Sequence, residues 1–217
     1  MDEEGLKTRA YCNSCGRETN HIPLHKHEET IEEKEGNFAR PRNECWELLK
    51  CCGCDEIRVR QVLNYIDIGQ SQIQYYPPIE IRRLPKWSCE LPVGVRELQL
   101  EVYSAMHGDN LRLAAMGARA LIDMTILASV GDKGTFRDKL DAMVQEKYLA
   151  ERDISTLTIA LDTGNAASHR GHNPTFDDLD KVMDIVEHLL EQVFYLQGLG
   201  DKLKNSVPHR KTESKGG

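Results

Sequence analysis

The sequence predicts an α+β protein: a small N-terminal β domain built on a metal site, followed by an all-α antiparallel helical bundle. Three observations predict this. Two chemically matched cysteine knuckles, Cys12-Asn13-Ser14-Cys15 and Cys51-Cys52-Gly53-Cys54, lie far apart in the chain. The residues around the second knuckle alternate or run together as strands do. From Val93 onward the apolar residues recur with helical spacing.

A C-x-x-C pair can bind one ion through a tight turn, and a glycine beside the second ligand eases that turn. Gly16 follows Cys15, and Gly53 precedes Cys54. Two such turns make a closed four-sulfur site, the structural form of bound zinc. The predicted ligands are Cys12, Cys15, Cys51 and Cys54, and the predicted cofactor is a structural Zn2+. A closed site leaves no position for water or substrate, so chemistry at the metal is not expected. Cys45-Trp46-Glu47-Leu48-Leu49-Lys50 reads as a strand entering the second knuckle, and Glu56 to Val62 alternates as a half-buried strand should. Knuckle, strand, knuckle, strand is a zinc-ribbon pattern.

The chain has seven cysteines, and the odd number and the adjacent Cys51-Cys52 argue against a disulfide framework. Cys45, Cys52 and Cys89 read as small buried hydrophobes. His21, His25 and His27 could replace a sulfur ligand but read as surface histidines of an insertion. The charged run from His27 to Gly36 reads as a solvated, mobile loop.

A formal charge of −7 disfavours broad, charge-driven binding to nucleic acid. No segment is read as approaching the ~20 apolar residues that span a bilayer. Met1-Asp2-Glu3-Glu4 lacks the basic and apolar regions of a signal peptide. A cytoplasmic protein without membrane contact is expected.

Residues 75–92 hold half of the eight prolines, which excludes regular helix and marks a connector. The expected organisation is a ribbon domain over 1–74, this connector, a bundle over 93–200 and a polar, disordered tail over 201–217. Within the connector, Arg82, Arg83 and Lys86 beside Trp87 could contact phosphate and stack on a base, or simply pack.

In the bundle, Val95, Leu98, Val102, Ala105 and Met106 mark one face of a first helix. Gly108-Asp109-Asn110 breaks it and caps the next. Leu111 to Val130 is apolar nearly all round, as a central bundle helix should be. Thr135 to Asp138 and Thr175 to Asp178 resemble capping boxes. A third helix buries Phe136, Leu140, Met143 and Val144, and a fourth runs from about 153 to 168. Leu179, Val182, Met183, Val186, Leu189, Leu190, Val193 and Phe194 give the last helix the clearest stripe, with Gly198 and Gly200 closing it.

Two polar stripes could carry chemistry. Arg112, Arg119 and Asp123 share a face of the central helix. Thr158, Asp162, Asn165 and His169 share a face of the fourth. If these meet across a groove, Arg119, Asp123, Asn165 and His169 form a phosphodiester site, with His169 as the acid or base and Arg119 on the phosphate. Otherwise each stripe is a solvent face and Arg119–Asp123 an ordinary helix ion pair. Gly164-Asn165-Ala166-Ala167-Ser168-His169 is a small-residue run that permits close approach of another helix or a ligand.

Several motifs occur together and in order. They are C-x-x-C-Gly with Thr19 and His21 behind it, Trp46 leading to C-x-Gly-Cys, the Tyr-Pro-Pro connector, Ala114 to Asp123, and Gly-Asn-Ala-Ala-Ser-His. By these the chain resembles, over about residues 10–197, the bacterial family called domain of unknown function 4145. That family is similar to the HEPN helical bundles and occurs alone, with a zinc ribbon, or attached to anti-phage systems. Many HEPN proteins are metal-independent ribonucleases that dimerise to build a composite site. The resemblance maps the family histidine to His169, its polar neighbour to Asn165 and the upstream pair to Arg119 and Asp123. The motif arginine upstream of the histidine does not carry over: positions 161–164 are Leu161, Asp162, Thr163 and Gly164.

The expectation is therefore a homodimeric, non-catalytic module of a bacterial cytosolic system, set in anti-phage defence, that binds RNA or another nucleic acid, or a protein partner. The alternatives are a ribonuclease using His169 and a purely structural dimerisation protein.

Overall fold

A computed structural model describes residues 7–35 and 38–206. The chain divides into two units, Met1–Arg83 and Leu84–Gly217. The first holds the strands and the second the helices, which makes the α+β class.

The first unit is a five-stranded antiparallel sheet in sequence order, with β1 Thr8–Cys12, β2 Arg17–Glu35, β3 Phe38–Cys51, β4 Ile57–Tyr65 and β5 Gln70–Tyr76. The strands read from the sequence over 45–50 and 57–62 fall within β3 and β4. The charged insertion, however, is not a loop. It lies in β2, which pairs with β3 as far as Glu35 opposite Phe38, and only 36–37 fall outside the described residues. Cross-strand partners explain this, because a charged strand is stable when its neighbour answers it. Within the run Glu33 stands opposite Arg40, although Glu29 faces Glu44, and Thr30 Oγ1 donates to Asn43 Oδ1 at 2.9 Å. Tyr75 and Tyr76, read as connector, belong to β5, and Tyr76 stacks on Trp46 with ring centroids 5.7 Å apart.

The apolar interior of this sheet is small. Among the described residues its buried apolar side chains are Ala10, Leu49 and Leu63 with Cys12 and Cys51. Polar pairing does much of the rest. The Arg60 guanidinium donates to Glu47 Oε2 through Nε at 2.8 Å and lies 2.6 Å from it through Nη2. The same side chain donates to the Arg9 carbonyl at 2.9 Å.

The second unit opens with a 3-10 turn at Lys86–Glu90. Five helices follow: α1 Val93–His107, α2 Leu111–Val130, α3 Phe136–Gln145, α4 Glu151–His169 and α5 Phe176–Leu190. Helix α2 is the hub, contacting α1, α3, α4 and α5. Its 20 residues and mean hydropathy of 1.5 reach the length and composition of a bilayer-spanning helix, contrary to the expectation that no segment would. Its apolarity has a use inside the bundle, where Ala114, Ala115, Ala118, Leu121, Ile122 and Ile126 are buried. Gly198 and Gly200 do not close the last helix. Helix α5 continues through a π-helical stretch, Glu191–Leu196, into α6, Gln197–Ser206. A glycine lowers helix stability by ~1 kcal/mol relative to alanine, but it stops a helix only when its backbone turns, and neither of these has positive φ. The expected tail therefore starts inside a helix, and its part beyond Ser206 lies outside the described residues.

Both capping boxes form. Thr135 and Thr175 each accept from the backbone N–H three residues on, and Asp138 and Asp178 answer the cap N–H. Thr175→Ala is expected to cost about 1 kcal/mol of stability, read as a lower thermal midpoint. The hydrogen bonds from Thr175 hold the Asp178 carboxyl below its ordinary range. Its contribution is thus present above that range and lost as acid protonates it. The difference between wild type and variant should shrink on acidification.

Candidate metal centre and helix-crossing site

Strands β1 and β3 end at Cys12 and Cys51, and the turns that follow supply Cys15 and Cys54. The four Sγ atoms lie within 4.8 Å of one another. Cys12 and Cys54 are 3.4 Å apart, and Cys15 and Cys51 3.9 Å. A tetrahedron with metal–sulfur bonds of about 2.3 Å has edges of about 3.8 Å, so the donor set and its size fit one ion. Gly16 takes a positive φ of 67° to close the first turn. Backbone N–H groups point at the sulfurs, from Cys15 to Cys12 and from Gly53 to Cys51, each at 3.3 Å.

The four thiols are not equivalent. Burial pushes the Cys51 thiol up, but the Thr19 hydroxyl at 3.2 Å and the N–H groups of Gly53 and Cys54 outweigh it and bring it down to about 6. Burial and the Glu56 carboxylate push Cys12 well up, and its thiol donates to Glu56 Oε2 at 2.8 Å. Glu56 also accepts from the Ser14 N–H at 3.0 Å. A metal ion would therefore bind a preformed thiolate at Cys51 and displace a proton from Cys12.

Of the histidines, His25 and His27 are exposed, as expected of the insertion. His21 is fully buried, which corrects the surface reading. It stands opposite Cys51 in the β2–β3 register, and its Nδ1 donates to the Thr19 carbonyl at 3.1 Å. The long-range register, invisible in local pattern, turned it inward. Cys52 and Cys89 are exposed and Cys45 half-buried, so the reading of these three as buried hydrophobes fails for the first two. Of the connector's cations, Arg83 takes the packing alternative. The Arg83 guanidinium sits on the carbonyls of Asn13 and Ser14. In the helical unit, Trp87 stacks on Tyr195 at 6.3 Å.

The α2–α4 crossing brings together three of the four residues considered for chemistry. A Cβ built on Gly164 would lie 2.7 Å from Arg119 Cβ and 2.8 Å from the Ala115 carbonyl oxygen. The small-residue run thus lets α4 lie directly on α2. Arg119 Nη1 donates to Asn165 Oδ1 at 2.6 Å, and its Nε lies 3.5 Å from Asp123 Oδ2. His169 is exposed at the last residue of α4, and no hydrogen bond or ion pair joins it to these three among the described residues. On the same helix, Asp162 pairs with Arg170 at 2.7 Å.

Residues 100–206 match the family model described as "Domain of unknown function (DUF4145)". The helical unit belongs to this family. The DUF4145 match takes in α2 and α4 with all four of Arg119, Asp123, Asn165 and His169, and it excludes the cysteine site. No curated protein and no solved structure matches the chain.

Proposed function

We propose that this chain is a zinc-stabilised, homodimeric binding module of the bacterial cytoplasm that performs no chemistry of its own. Its DUF4145 unit is taken as a HEPN-like bundle, and its setting as anti-phage defence. The observation that carries the reading is the pairing of Arg119. Its guanidinium is engaged by Asn165 and Asp123 at a helix crossing, while His169, at the end of α4, makes no hydrogen bond or ion pair with it. A ribonuclease must hold a cation and an acid or base on the same phosphate. Purified protein is therefore expected to leave RNA intact in the presence of chelator, with wild type and His169→Ala alike. Metal-independent cleavage that disappears in His169→Ala would overturn the proposal in favour of the ribonuclease. One feature favours that second reading: Asn165 and His169 lie one turn apart on α4.

The metal is taken as zinc because four thiolates in a tetrahedron suit it. The ribbon holds the sheet together and leaves binding to its surfaces. The partner expected first is a second copy. Leu113, Met116, Met124 and Leu127 on α2 are all exposed and, with Ala120, form one apolar stripe. Leu113 and Leu127 lie equally far from Ala120, as do Met116 and Met124. An antiparallel pair of α2 helices crossing at Ala120 would match each residue with its counterpart, the self-complementarity that a two-fold interface requires. Leu113→Glu is expected to halve the sedimenting mass without lowering the thermal midpoint. An unchanged mass would remove α2 as the interface. An electrophoretic shift of labelled RNA, weakened by salt, separates a nucleic-acid partner from a protein one.

A further inference from the structure

We infer that occupancy of the four-cysteine site latches the segment 77–83, the path by which the sheet unit runs into the helical unit, through Asn13 inside the first knuckle. This rests on the metal reading above and concerns what the metal controls.

The knuckle and the segment are joined by hydrogen bonds that converge on one residue. Asn13 Nδ2 donates to the Pro78 carbonyl at 2.8 Å, and Asn13 Oδ1 accepts from the Glu80 N–H at 3.2 Å. Arg58, 2% exposed, donates to the Pro77 carbonyl at 2.8 Å, to the Tyr11 carbonyl at 2.5 Å and to Asn13 Oδ1 at 3.3 Å. Arg83 donates back to the Asn13 and Ser14 carbonyls. It lies so close to the turn that a Cβ on Gly16 would come within 2.7 Å of its Nη2. Asn13 is itself 5% exposed.

The knuckle therefore presents its side-chain amide and its carbonyls to this segment, and its sulfurs to the metal. Cys12 and Cys15 flank Asn13 and Ser14, so one ion bound by both cysteines fixes the turn whose polar groups hold 77–83. The occupied tetrathiolate site also carries net negative charge, which favours keeping the Arg58 and Arg83 cations close by. Without the ion, a four-residue turn held by thiol contacts must keep this geometry alone. Arg58 and Arg83 would then be free to pair elsewhere.

Trypsin reads the latch, because Arg82 and Arg83 are cleavage sites. In full-length metal-loaded protein, cleavage there should be slow. Removing zinc with a chelator should raise it by about tenfold or more, and added zinc should restore protection. Asn13→Ala keeps all four thiols. It should retain zinc by elemental analysis, yet be cleaved at Arg82 and Arg83 roughly tenfold faster than the zinc-bound wild type, as loss of a few hydrogen bonds would allow. That arm separates a latch from general unfolding of the sheet: amide exchange of β4 in zinc-bound Asn13→Ala should stay as slow as in wild type, and fast exchange there overturns the inference. Protection of the segment in zinc-bound Asn13→Ala, or cleavage indifferent to proven zinc loss, overturns the inference alone. Absence of zinc from freshly purified protein overturns it together with the metal reading.

Discussion

Replacing Cys51 with serine is expected to abolish metal retention and unfold the sheet unit while the helical unit stays folded. The reason lies in how little else the sheet has. Among the described residues its buried apolar side chains are Ala10, Leu49 and Leu63, and the other two, Cys12 and Cys51, belong to the site itself. Binding of zinc to a structural site is worth on the order of 10 kcal/mol, and it is largely folding free energy. That is comparable to the whole stability of a small domain, about 5–15 kcal/mol. Buried polar groups such as His21, Glu47 and Arg58 add to the demand, since each loses its partners once the strands separate. The helical unit has an independent interior of its own, formed by α1 to α5. Elemental analysis should find substantially less than one zinc per chain in Cys51→Ser. Amide exchange should show β3 and β4 unprotected and α2 and α5 unchanged. Retained protection in β3 of a zinc-free variant would mean that the sheet stands without the metal.

Gly164→Ala is expected to destabilise the helical unit by about 1–3 kcal/mol, although intrinsic propensity alone favours alanine by ~1 kcal/mol. Packing decides the sign. The new methyl would meet the Ala115 carbonyl oxygen at 2.8 Å and Arg119 Cβ at 2.7 Å. Neither is the far end of a flexible chain that could swing away, so α4 must lift off α2. The shift would also pull Asn165 from Arg119, a 2.6 Å hydrogen bond, and loosen the contact of Ala160, Leu161 and Ala167 with the core. A lower thermal midpoint, with a larger drop for Gly164→Val, is the expected result. An unchanged or raised midpoint for Gly164→Ala would show that the two helices do not lie this close.

Much of the site was legible because its signals are local. Thiolates need a fixed spacing to share an ion through one turn, and that spacing is written in Cys12, Cys15, Cys51 and Cys54. Helix faces and caps are equally local, and Thr135 and Thr175 form the boxes their sequence proposed. Gly164 announced a close approach, and the approach is there. What was not legible depends on partners distant in sequence. His21 is buried because β2 pairs with β3 in a register that places it opposite Cys51. The charged run from His27 is a strand because β3, more distant in sequence, pairs with its backbone. Arg82, Arg83 and Lys86 beside Trp87 could contact phosphate or simply pack, and the partners found, Asn13 for Arg83 and Tyr195 for Trp87, lie far away in sequence.

By itself, then, the sequence determined an α+β chain with a four-thiol cluster and a helical unit of the DUF4145 family. The spacing of cysteines and of apolar residues acts within a turn or a face. Only the tertiary structure decided that Arg119 joins Asn165 and Asp123 without a hydrogen bond to His169, and that Asn13 ties the first knuckle to residues 78 and 80. Those outcomes depend on where α4 crosses α2 and on how the strands register, which are set by packing between segments far apart in the chain.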